Sequence, residues 1–187
     1  MAGPHSPEIP DDDLIAAAIR GEVRAFEVLL ARHEGKVLRV LRLLGVRAQD
    51  REDVAQEVFL RVFRHLSGFR TGQPFGAWIY RVTVNAAHDH RERSARLHRE
   101  EVPWSVELEA APSEEDHPDE ALARKRLIAR LEGALATLSD RERAVFVLRE
   151  LEGLETSQVA QVLGIARITV RRHLALARGR LRRKLAR

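Results

Sequence analysis

Apolar residues recur along most of this chain at the three-and-four-residue spacing of an amphipathic helix. After a proline-bearing leader over residues 1–10, the run Asp11, Asp12, Asp13 can cap a short helix ending near Gly21. A longer pattern follows to about Leu44, with Phe26, Leu29, Leu30, Val37, Leu41 and Leu44 apolar and Gly35 a weak point midway. Gly45 to Gln49 reads as a turn. Asp50 stands where an N-cap is needed, and Asp53 lies near the positive terminus of the helix it opens. On that helix Val54, Ala55, Val58, Phe59, Val62 and Leu66 share one face. Ser67 to Gln73 breaks it, and Pro74 suits the first turn of another. The buried stripe of this last helix is Phe75, Trp78, Ile79, Val82 and Ala86, and it frays near Leu97.

The pattern then lapses. From Glu100 to Glu120 there are nine acidic residues, three prolines and no Lys or Arg, which predicts a flexible acidic linker over residues 98–120. Helical spacing resumes near Ala121 with Leu122, Leu127, Leu131 and Leu135, ending near Leu138. Ser139 and Glu142 form an S-x-x-E capping box for a helix that stops at Gly153. The segments TSQVAQVLG and IARITVRRHLALARGRLRRKL then read as a short helix, a turn and a longer helix. Ala160 lets two helices cross closely, Gly164 can take positive φ in the turn, and the β-branched Val170 locks the second helix. The expected fold is all-α: two small helical domains, 11–97 and 121–187 (the second a helix-turn-helix), joined by the acidic linker.

Composition narrows the function. Hydrophobic residues make up 44% of the 187, enough for a core, and the net charge of +4 is a modest basic excess. The placement of charge says more: from Thr156 onward there is no acidic residue, while Arg167, Arg171, Arg172, Arg178, Arg180, Arg182, Arg183, Lys184 and Arg187 are basic. The absence of cysteine excludes disulfides and thiolate metal sites. Apolar runs such as LIAAAI are too short to span a bilayer, and the N-terminus lacks a signal-peptide core, so a cytoplasmic protein with no membrane contact of its own is expected. His88, Asp89 and His90 invite a metal reading, but residues two apart on a helix point away from each other. No phosphate loop, nucleophile elbow or zinc spacing is present, and neither catalysis, a cofactor nor a metal is expected.

Three polar surfaces remain as candidates. The first is the stripe Asp53, Gln56, Glu57, Leu60 and Arg64, acidic at one end and basic at the other, with a leucine in the open; a solvated helix face would look similar. The second joins the loop Phe69, Arg70, Thr71 to the stripe Arg81, Asn85, His88. An aromatic in a turn has little helix to pack under, and aromatic with cationic residues suits an unstacked base. The third is the last helix. Val170, Leu174, Ala177 and Leu181 face inward, and Ile168, Arg172, Ala175, Leu176 and Arg183 outward. Such a mixture matches the major groove, where guanine offers paired acceptors and thymine a methyl.

DREDVAQEVFLRVFRHL followed by FGAWIYRVTVNAAHDHRER resembles the second conserved region of extracytoplasmic-function sigma factors of the bacterial sigma-70 family, and the C-terminal part resembles their fourth region. The resemblance implies a subunit that binds core RNA polymerase and recognises minus-ten and minus-thirty-five promoter elements, as duplex and as melted non-template strand. On that pattern Asp50, Asp53, Gln56, Glu57 and Leu60 would dock on polymerase. Phe69, Arg70, Thr71 and Asn85 would capture a flipped minus-ten base, with Arg81 and His88 near the adjacent duplex. Arg167, Thr169, Arg171, Arg172, Ala175, Leu176 and Arg178 would read the minus-thirty-five element. An anti-sigma factor is a common partner of the family, and the linker would follow polymerase channels, with Trp104 as an anchor. The chain departs from the family in having Ile168, Arg171, Arg172, His173 and Leu176 where Gly, Lys, Ser, Arg and a later Arg are usual, and Glu155 where a serine often caps. A freestanding helix-turn-helix regulator, or a sigma-like interaction protein that starts no transcription, are the alternatives.

Overall fold

The computed structural model describes residues 9–69, 74–97 and 118–186. Most of the leader, Arg70, Thr71 and the linker through residue 117, Trp104 included, lie outside the described residues. The described elements are helical: α1 (Asp11–Ile19), α2 (Val23–Leu43), α3 (Arg51–His65) and α4 (Phe75–Leu97), then α5 (Pro118–Leu135), α6 (Asp140–Phe146), α7 (Thr156–Leu163) and α8 (Arg167–Leu185).

In the N-terminal group, α2 packs against α1, α3 and α4. Leu29, Val37, Val40 and Leu41 of α2 meet Val54, Val58 and Val62 of α3 and Ile79 and Ala86 of α4, all of them buried. Each such side chain removed from water contributes on the order of 1.5–3 kcal/mol. Gly35 does not interrupt α2. Its end is fixed by Gly45, whose φ of +88° lets its N–H reach the Arg42 carbonyl while Val46 N–H reaches that of Leu41. Two sequence expectations about caps are corrected. The acids of α1 occupy its first turn after Pro10 and favour it by charge, without a side-chain cap bond. Asp50 holds the N-cap position of α3, yet its carboxylate turns to His90 Nε2 of α4, 3.2 Å away.

In the C-terminal group the Ser139–Glu142 capping box is closed in both directions. After α6 the chain takes a wider π turn over Val147–Leu151, burying Val147 and Leu148, before Gly153 at φ +73°. Gly164, at φ +63°, makes the bend between α7 and α8, and the buried Val159, Ala160 and Val170 close the motif. Leu127 is a correction: it is 68% exposed, while Leu131 and Leu135 pack. α5 starts at Pro118 rather than Ala121; among its described side chains Glu132, Ala134 and Leu135 are buried, and Leu127 covers no surface.

The two groups also pack on each other, through α4 and α7. Arg143 of α6 is buried and donates from Nε to the Leu43 carbonyl at 2.6 Å, at the negative end of α2. Burial pulls its guanidinium down to about 10, still charged at neutral pH. Glu152, beyond the π turn, accepts from the Tyr80 hydroxyl of α4 and from Arg39 of α2, each at 2.7 Å. Burial, and after it this carboxylate, hold the Tyr80 phenol above its ordinary range.

Candidate nucleic-acid interface

The helical period of α3 decides which of its polar residues are available. Asp53, Gln56 and Leu60 are exposed, Leu60 at 47%. Glu57 is half-buried and held between two arginines, Arg93 of α4 at 2.8 Å and Arg61 one turn on. Arg61 continues to Asp89 at 2.8 Å, so the network ties α3 to α4. The hydrogen bond from Arg93, more than any other partner, keeps the Glu57 carboxyl below the usual range against the opposing effect of burial. The expected stripe therefore divides. Asp53, Gln56 and Leu60 face outward, while Asp50 is bonded to His90 and Glu57 is paired with Arg93 and Arg61.

Beside Leu60 runs an apolar groove of about 450 Å³ between α2 and α3, lined by Phe26, Leu30, Leu38, Phe59 and Phe63. Phe26 and Phe63 meet edge-on at 5.0 Å, and Phe63 is 59% exposed. Sequence reading singled out neither as a surface residue. The signal was there: Phe63 lies off the buried stripe, one turn beyond Leu60.

Around the loop one expectation is overturned. Phe69 is buried, not splayed from a turn. A 3-10 turn over Leu66–Gly68 brings it back over the start of α4, where its ring lies 5.6 Å from that of Phe75 and 5.1 Å from that of Trp78. His33 of α2 stacks edge-on against Phe75 from below, at 5.1 Å. Phe69 thus anchors the loop and offers no open ring face. Arg81, Asn85 and His88 are exposed along one side of α4, as their spacing requires. Arg81 donates to the main-chain carbonyl of Gln161 in α7. The three residues of the HDH run go separate ways, His88 toward Glu92, Asp89 to Arg61 and His90 to Asp50.

On α8, Val170, Ala177 and Leu181 are buried and Leu174 half-buried. Arg167, Ile168, Arg171, Arg172, Ala175 and Leu176 are exposed and Thr169 is half-buried. Arg178 is exposed too, but paired with Glu150 at 2.9 Å, and Arg180 with Glu142 at 2.9 Å. These pairs steady the back of the helix, and Arg167, Arg171 and Arg172 stand exposed along its N-terminal half. Glu155 heads α7 without the usual serine; its N–H is satisfied by Gln158 Oε1 at 2.8 Å.

Comparison with known proteins agrees with this layout. The Sigma-70 region 2 family model matches residues 29–97, and the Sigma-70 region 4 model residues 128–181, together well over half of the chain. The ECF RNA polymerase sigma factor SigE of Mycolicibacterium smegmatis is 33% identical over 87% of this chain, which spans 62% of that protein's length. The RNA polymerase sigma-H factor of Pseudomonas aeruginosa is 30% identical over 90% of both chains. The sigma factor CnrH of Cupriavidus metallidurans is 32% identical over 94% of both. A solved structure of CnrH in complex with the cytosolic domain of CnrY superposes with a TM-score of 0.69 at 29% identity, covering 94% of this chain and 97% of that one. Among the described residues no helix is long and apolar enough to cross a membrane. The chain belongs to the sigma-70 family of RNA polymerase sigma factors, in its extracytoplasmic-function group.

Proposed function

We propose that this chain, acting in the cytoplasm without catalysis of its own, binds core RNA polymerase through α3 and brings it to promoters read by α4 and α8. The observation that carries this is the coexistence on one chain of an outward ridge of Asp53, Gln56 and Leu60 beside an apolar groove, and a helix-turn-helix whose α8 exposes Arg171 and Arg172. Acid and leucine next to a groove suit a helical partner with basic flanks. Exposed arginines beside Ile168, Ala175 and Leu176 suit base edges and thymine methyls in duplex DNA. Asn85 and His88, on the open side of α4, are assigned to the minus-ten element, with Arg81 and with Arg70 and Thr71 of the adjoining loop. Phe69 serves there as the anchor of that loop. Asp50 and Glu57 act by holding α3 against α4, and only Asp53, Gln56 and Leu60 make direct contact with polymerase. By likeness to CnrH, which is seen with a cytosolic partner domain, an anti-sigma factor belongs to the proposal.

Run-off transcription with purified core polymerase and a genomic promoter library tests the reading. Specific transcripts are expected. Duplex binding without polymerase dependence would favour a freestanding regulator, and neither activity would favour a sigma-like interaction protein.

A further inference from the structure

The outward side of α8 is mixed in a regular way. At 3.6 residues per turn Ile168, Arg172 and Leu176 follow one another along the helix at successive turns, with Ala175 beside them. The opposite side already supplies the core contacts of the helix, through the buried Val170, Ala177 and Leu181 and the half-buried Leu174. Ile168 is 69% exposed and Leu176 45% exposed. A single exposed leucine is ordinary on a protein surface. Here two large apolar groups bracket an arginine that has no acidic partner among the described residues.

The charge around them selects the kind of surface they meet. Arg167, Arg171 and Arg172 are exposed and unpaired among the described residues, whereas Arg178 and Arg180 are held by Glu150 and Glu142. No acidic residue occurs from Thr156 onward. Such a face attracts a polyanion and gives an apolar protein surface nothing to pair with its cations. Two groups on the floor of the major groove match what stands here. The paired O6 and N7 acceptors of guanine suit a guanidinium, and the C5 methyl of thymine suits an aliphatic side chain.

Spacing turns this match into a pattern of bases. Residues 168 and 176 are eight positions apart, which at 1.5 Å per residue sets them about 12 Å apart along the axis. Base pairs follow at about 3.4 Å, so a helix lying along the groove spreads these two side chains over about three to four steps, with Arg172 midway. Neighbours at i and i+4 lie about 5–6 Å apart between Cβ atoms, so Ile168 and Leu176 also confine the aliphatic stem of Arg172 and narrow the sweep of its guanidinium. We propose that Ile168 and Leu176 are specificity-determining residues that read the C5 methyl groups of thymines about two base pairs to either side of a guanine held by Arg172. The proposal rests on the sigma-factor reading given above and adds to it the bases that the last helix selects.

Promoters randomised over the minus-thirty-five segment and transcribed by core polymerase with the full chain report the selected bases on sequencing. The expected site is a guanine with an A·T pair about two steps away on each side. Each thymine is then replaced by deoxyuridine, which lacks only the C5 methyl and keeps every hydrogen bond. For the parent chain, one replacement should weaken duplex binding by the holoenzyme about fourfold, the worth of one buried methyl group. Ile168→Ala should bind thymine and deoxyuridine alike at one flank, and Leu176→Ala at the other, each keeping its response at the flank it does not serve. Replacing the guanine by 7-deazaguanine, which lacks N7, should weaken the parent and leave Arg172→Ala unaffected. Selection that returns no thymine on either flank would overturn the proposal. So would indifference of the parent chain to deoxyuridine, a comparison that uses unaltered protein and does not depend on the variants folding. Equal loss in the parent and both alanine variants would overturn it too, placing the methyl contacts elsewhere. Absence of transcripts with core polymerase would instead count against the sigma-factor reading. The deoxyuridine comparison, run on duplexes selected by the full chain alone, would then still decide the methyl contacts.

Discussion

His33 sits where α1, α2 and the base of the loop meet. Its Nε2 is 2.8 Å from Asp11 Oδ2, Arg32 shares the same carboxylate, Lys36 lies close by, and Phe75 covers one edge of the ring. Burial lowers the imidazole below its ordinary value despite the facing carboxylate. The unfolded chain therefore takes up this proton more readily than the folded one. The contribution is present above about pH 6.5 and is lost as pH falls through the depressed folded value. Asp11, also lowered although burial opposes it, adds stability above its unfolded value that disappears only in stronger acid. Thermal unfolding followed by circular dichroism should show Tm falling between pH 7 and pH 5.5, and His33→Gln should flatten that slope. At the DNA end, Arg172→Ala should cost roughly 1–3 kcal/mol if it pairs with guanine, with loss at one base position. A fluorescence-anisotropy competition series over single-base variants of the minus-thirty-five site would reveal it; a uniform loss would place the arginine on phosphate.

At the scale of the helix, α3 turns one face to the core and leaves Asp53, Gln56 and Leu60 exposed on the other, so a change on the outer face should spare folding. Asp53→Lys is expected to leave helicity and Tm nearly unchanged while weakening core polymerase in a pull-down by about tenfold, the cost of turning a few favourable charge contacts into repulsion. The face was legible beforehand because Val54, Val58 and Val62 mark it by spacing alone, and Gly164 and Val170 marked the helix-turn-helix in the same way. Residues whose environment is made by distant parts of the chain were not legible. Phe69 looked like a turn aromatic until Phe75 and Trp78 closed over it. Leu127 looked like core, yet it stands exposed while Leu131 and Leu135 on the same helix pack. Periodicity says which residues share a side of a helix, not whether anything lies there to meet that side.

For the molecule as a whole, the same limit hid the contact between the two halves. Tyr80, Arg143 and Glu152 fall outside every pattern singled out in the sequence, yet each is drawn into the boundary by a partner some 70 to 115 positions away. Arg143→Ala removes the donor to the Leu43 carbonyl and should cost about 1–3 kcal/mol. Because that bond couples the halves, differential scanning calorimetry should replace one cooperative transition with two partly resolved ones.

Arg130 of α5 donates to the Leu185 carbonyl at 3.0 Å, fastening α5 to the tail of α8. That fastening lies at the opposite end of α8 from Arg171 and Arg172. A load on α5 therefore bears on the tail of α8 and leaves the exposed arginines at its head where they stand.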